Sequence, residues 1–204
     1  MTLRRLVPLL LIALTSCSAP TVPDFTYYRL PRPQPLQPLS TPLFQHPLVV
    51  EAFNADGLYA DQALIYALDA DAQQLRQYHY QLWTDPPTRF LQRRLIGALR
   101  EAHAAVQVTD ELPASQPAIR VVGVILRFDR VPAAEGGHRA VIGLKLRADA
   151  SDGTPLLDEY YRSEKPAAGN DLKATVDAYG AALDDIFAQF YGDLRKRTGG
   201  VDAG

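Results

Sequence analysis

The 204-residue chain has one cysteine, Cys17. No disulfide closes within it, and it has no paired-cysteine spacing for zinc and no second thiol for redox chemistry. Positive charge is not in excess either. With 21 basic and 23 acidic residues the formal charge is −2, so nucleic acid meets no broad electrostatic footprint. The apolar run at residues 6–14 falls short of the roughly 20 residues a bilayer-spanning helix needs, and no later stretch resembles a membrane span. The histidines, His46, His79, His103 and His138, are scattered and show no H-E-x-x-H spacing. There is no G-x-S-x-G elbow and no phosphate-cradling glycine loop. Ser163-Glu164-Lys165 comes nearest to a nucleophile with helpers, but adjacent strand residues point to opposite faces. Two acidic pairs, Asp69 with Asp71 and Asp184 with Asp185, read as solvated surface. The expectation is a protein that is not an enzyme and holds no cofactor or metal.

What is present begins at Cys17. A basic start at Arg4-Arg5, the apolar run and a Thr15-Ser16 approach to the cysteine have the grammar of a lipoprotein signal. Residues 1–16 are expected to be removed and Cys17 to carry lipid, anchoring the chain to a membrane. The alternative is a secreted protein with a chance cysteine near its cleavage site. Ser18, in place of an aspartate, favours the outer membrane, with the protein facing the periplasm. Losing Arg4 and Arg5 leaves 19 basic against 23 acidic residues, a mature charge of −4.

Eight of the sixteen prolines fall between residues 18 and 48, which rules out a continuous helix or central strand there. Residues 17–47 therefore read as a proline-stiffened tether, of which about 25 extended residues at ~3.1 Å each reach roughly 75 Å. An apolar island at Phe25-Thr-Tyr-Tyr-Arg-Leu30 interrupts it. Three aromatics in four positions suit an edge strand of the following domain; the alternative is a sticky piece of linker.

Residues 48–198 carry regular periodicity, and 199–204 read as a flexible tail. Strands are expected at 48–53, 63–68 and 74–82. Asp85-Pro86-Pro87 opens a helix, with the aspartate as cap and Leu91, Leu95, Leu99 and Ala102 at helical spacing. Residues 119–131 read as a long central strand covered on both faces. Its end alternates, Leu126 and Phe128 against Arg127 and Asp129. Residues 140–149 and 156–162 follow as antiparallel strands after turns at Gly136-Gly137 and 151–155. A last helix presents Leu172, Val176, Tyr179, Leu183, Ile186, Phe187, Phe190 and Leu194 as one stripe, capped by Asn170 or Asp171.

The order of these features resembles the ABC-type transport auxiliary lipoproteins, the PqiC-like family. Tyr27-Tyr28-Arg29-Leu30 after the lipidated cysteine is similar to the family's Tyr-Tyr-x-Leu opening. Tyr78-His-Tyr-Gln-Leu-Trp83-Thr-Asp-Pro-Pro87 looks like its Tyr-x-x-x-x-Trp-x-x-Pro segment. One departure is the turn Asn54-Ala-Asp-Gly57, where the family commonly has proline. The resemblance implies a single α/β domain, a mixed and largely antiparallel sheet with helices packed on it, similar to the amino-terminal domain of TolB. It also implies a place beside an MCE-domain substrate-binding protein, a permease and an ATPase in a system moving lipids or other hydrophobic molecules, and a possible homo-oligomer. Tyr27, Tyr28, Leu30 and Trp83 are then either packing residues joining the tether strand to the sheet or a contact surface. Piloting another outer-membrane complex is the alternative role.

Overall fold

The computed structural model describes residues 23–55, 57–113 and 115–198; Cys17, Ser18 and the tail at 199–204 lie outside them. The elements run β1 (Thr26–Tyr28), β2 (Leu48–Val50), β3 (Asn54–Ala55), a 3-10 turn (Gly57–Ala60), β4 (Ala63–Ala67) and β5 (Leu75–Trp83). Then come α1 (Pro87–Glu101), β6 (Val108–Thr109), β7 (Ile119–Pro132), β8 (His138–Asp149), β9 (Pro155–Pro166) and α2 (Leu172–Thr198).

The apolar residues of β7 make it the spine of one mixed sheet. Along one edge it pairs in parallel with three short strands in succession, β2, β3 and β4. Along the other it pairs antiparallel with β8, which pairs antiparallel with β9. The sheet extends from β4 through β5 to β1 at one end, and from β2 to β6 at the other. These two antiparallel ladders carry most of the paired length.

The alternation in β7 changes phase. Ile119, Val121 and Ile125 are buried while Arg120, Val122 and Val124 between them are half-buried, so only one face of this stretch is true core. The register then shifts between Ile125 and Arg127. This bulge leaves Leu126 43% exposed while Phe128 and Asp129 are both buried. An extra residue in one strand reverses every later side chain, so the sequence pairing of Leu126 with Phe128 on one face is corrected.

Both helices cover the face that carries Phe128. α2 lies over β8 and β9, and α1 over β2 and β6. The apolar stripe of α2 is buried from Val176 to Leu194, and the side chain of Asp171 caps it, accepting from the Ala174 amide at 2.7 Å. α1 starts differently from expectation. Pro86 occupies the cap position with no side-chain cap bond, and Asp85 is engaged elsewhere, 2.6 Å from Arg93.

The proline-rich segment is not a free spacer over its described length. Residues 29–47 lie along the domain as a strap. Each proline removes an amide donor, yet the strap still bonds to the domain: Leu39 donates to the Ala102 carbonyl at 3.1 Å and Phe44 to that of Ala104 at 3.1 Å. Leu36 and Phe44 are 8% and 7% exposed. Burying these side chains stabilises the strap by about 1.5–3 kcal/mol each, which offsets part of the entropy of ordering it.

Candidate functional site

β1 lies parallel to the end of β5, with Tyr28 opposite Trp83. The Thr84 amide donates to the Tyr28 carbonyl at 3.0 Å, which closes the pair. Strand alternation then sorts the motif residues. Tyr28 and Trp83 point to the helix side. Tyr27 points away and is 58% exposed. Trp83 is 2% exposed and sits among Phe90 of α1, Phe128 of β7 and Tyr179 of α2, with ring centroids 5.3, 5.6 and 5.6 Å away. Leu30 packs against the same core. Burial, and beyond it the charges of Asp171 and Tyr78, push the Tyr28 hydroxyl above its ordinary pKa.

Past Leu30 the chain crosses the surface of α2 at a notch. A Cβ on Gly180 would stand 2.4 Å from Cγ of Pro31, so the strap seats here only because position 180 has no side chain. Arg94, on α1, fastens it. Its guanidinium donates to the Pro31 carbonyl at 2.6 Å and to Asp184 at 2.8 Å. The other oxygen of Asp184 accepts from the Gln34 amide at 3.1 Å. Asp184 is therefore no solvated surface residue: its side chain is 15% exposed and that of Arg94 is 7% exposed. Asp185 is likewise engaged, accepting from Ser163 at 3.1 Å and lying 2.5 Å from Lys165. Because Ser163 is buried, this cluster pins β9 to α2.

Between the strap, the end of β5 and α1 a cleft of about 400 Å³ remains. Tyr28, Leu30 and Trp83 all line it, as do Phe90 and Gly97. Three of the four motif residues thus converge on one cavity and Tyr27 does not. Four arginines, Arg29, Arg32, Arg93 and Arg94, also line it, together with the acidic residues Asp85 and Glu101. The sequence reading missed the arginines, since Arg93-Arg94 looks like an ordinary charged face of a helix. The available signal was Gly97, a glycine inside a helix, where it costs about 1 kcal/mol relative to alanine.

Two further clusters hold the sheet together away from the cleft. Arg130 donates to Tyr78 at 2.8 Å, to the Asn170 carbonyl at 2.7 Å and to Thr175 at 3.2 Å, and contacts Nδ1 of His138 at 2.9 Å. Burial, then the charge of Arg130, lowers the His138 pKa, so the imidazole is held neutral as an acceptor. Asp129 sits between Arg127, at 2.8 Å, and the hydroxyl of Tyr59. Burial and that hydrogen bond push the Tyr59 hydroxyl well up. Among the described residues no three His, Cys, Asp or Glu side chains gather closely enough to hold a metal ion, and no helix is long and apolar enough to cross a membrane.

Comparison with solved structures finds the same fold. Protein XCC0632 from Xanthomonas campestris, described as a DUF330 protein, superposes with a TM-score of 0.73 at 19% identity, covering 87% of this chain and 99% of that one. A second, uncharacterized protein gives 0.61 at 17% identity, over 85% and 98%. The hypothetical protein CT253 from Chlamydia trachomatis gives 0.50 at 11% identity, over 76% and 98%. No curated protein matches the sequence. The model of one family matches residues 28–190, beginning at Tyr28 and taking in the cleft, the sheet and most of α2. The chain belongs to the family of ABC-type transport auxiliary lipoprotein components.

Proposed function

We propose that this protein is a non-enzymatic accessory of an ABC transporter of the MCE type. In this reading it is held in the outer membrane by lipid on Cys17, faces the periplasm and docks the MCE-domain component that works with a permease and an ATPase. The cargo class is lipids or other hydrophobic molecules. The observation that carries the reading is the family match over residues 28–190, joined to the lipoprotein signal that ends at Cys17. Acyl chains contribute about 0.8 kcal/mol per buried methylene, and more than one chain is needed for stable anchoring. The strap adds a constraint: with residues 29–47 on the domain, only the stretch from Cys17 to about Phe25 separates anchor from sheet. The domain then works close to the membrane surface rather than at the reach of a 30-residue tether.

The test is Cys17→Ser in a strain lacking the native gene. The expected outcome is a folded domain released from the membrane fraction, together with failure to restore the envelope barrier against hydrophobic compounds. Full restoration by the released protein would overturn the anchored-accessory reading.

A further inference from the structure

The cleft between the strap and α1 has two kinds of wall. One is apolar, built from Leu30, Pro31, Trp83 and Phe90. The other is cationic: four arginines face two carboxylates, and one positive charge remains in excess even when Asp184 is counted as the partner of Arg94. This sits on a chain whose formal charge is negative. Arg94 adds a separate observation. Its side chain is 7% exposed, two of its nitrogens are satisfied, and its Nε–H has no acceptor among the described residues. A buried donor without a partner costs about 1–3 kcal/mol, and native structures rarely leave one unless something else supplies the acceptor. The volume of about 400 Å³ falls in the range of small-molecule sites, about 300–1,000 Å³. The space beside Gly97 is empty, since a Cβ there would meet no atom within 4 Å.

We propose that this cleft binds a single-chain anionic amphiphile, with its apolar chain against Leu30 and Phe90, beside the buried Trp83, and its phosphate head among the arginines. A neutral chain would leave the Nε–H of Arg94 without an acceptor, and a free phosphate would leave Leu30 and Phe90 wet. The assignment rests on the cleft's geometry and not on the transport reading, so partner recruitment and ligand binding succeed or fail independently.

Trp83 is the only tryptophan, which makes its fluorescence a reporter inside the site. The mature chain carrying Cys17→Ser, free of its own acyl groups, is titrated with dodecyl phosphate below its micelle concentration, with isothermal calorimetry in parallel. Saturable binding with a change in Trp83 emission is expected. Arg32→Glu is expected to weaken it about tenfold or more, the loss of one charge-assisted contact. Gly97→Leu fills the cleft from a helical position where leucine is favoured over glycine, and is expected to abolish binding while the far-ultraviolet circular dichroism is unchanged. Dodecanol is expected to bind at least tenfold more weakly, and inorganic phosphate not to saturate the signal. Equal affinity for dodecanol overturns the anionic assignment. Equal affinity for inorganic phosphate overturns the amphiphile, and unchanged binding by a folded Gly97→Leu protein overturns the location.

Discussion

Gly180→Ala sets two effects of known sign against each other. In a helix interior alanine is favoured over glycine by about 1 kcal/mol, so a helix considered alone gains stability. The added Cβ would stand 2.4 Å from Cγ of Pro31 and 2.9 Å from its Cδ. Carbon atoms in contact sit about 3.5–4.0 Å apart, so the proline ring must retreat by more than ~1 Å. That ring belongs to the backbone of the strap and cannot swing aside alone. The retreat stretches the 2.6 Å bond from Arg94 to the Pro31 carbonyl beyond hydrogen-bond length and loosens the 3.1 Å bond from the Gln34 amide to Asp184. A hydrogen bond involving a charged group is worth about 1.5–3 kcal/mol. The helix gain is the same with the strap docked or open, so local docking weakens by the lost bond, about 1.5–3 kcal/mol. Amide hydrogen exchange reads this directly: a change of that size raises exchange at Gln34 by about 10–150-fold, while amides of the β7–β8 ladder stay as they were. Unchanged protection at Gln34, together with a higher melting temperature, would refute the notch as the seat of the strap.

Other substitutions separate packing from surface. Trp83→Ala empties the centre of the aromatic cluster and is expected to cost about 3–5 kcal/mol in urea unfolding, whereas Tyr27→Ala stays within about 0.5 kcal/mol; equal effects would contradict the sorting by strand alternation. Tyr59→Phe strips a donor from the buried carboxylate of Asp129 and is expected to lower stability by about 1–3 kcal/mol, with a null result in the same assay counting against that network. The folded state lowers the His138 pKa, so the neutral form is favoured by folding. Its contribution is complete above the unfolded value of about 6.5 and is lost as pH falls below it toward the folded value. The melting temperature of the wild type is therefore expected to drop between pH 7 and 5 more than that of His138→Asn, and parallel curves would contradict it.

The two long helices were legible because their apolar stripes repeat with helical period, and the hairpins because alternation and turn residues coincide. That residues 26–28 join the domain as an edge strand was readable from aromatics in an otherwise polar, proline-rich stretch; that β5 is the partner was not. The bulge at Leu126 was not, since one inserted residue leaves local alternation intact and only the partner strand shows the slip. The strap was hidden for a different reason. Its prolines exclude regular structure but say nothing about docking, and Gly180, Pro31 and Arg94 are far apart in the chain. The cleft inherits that concealment. Its aromatic wall was marked by the family motif, whereas its arginines resembled ordinary surface charge.

The central claim is that this chain is the membrane-held accessory of a transport machine, and affinity purification of the lipidated protein from detergent-solubilised envelopes tests it most directly. The expected result is recovery of an MCE-domain protein with its permease and ATPase, retained in the Tyr27→Ala protein if that residue is only surface. Recovery of the intact, folded lipoprotein without any MCE-domain component, under conditions that preserve the other subunits' own complex, would contradict it.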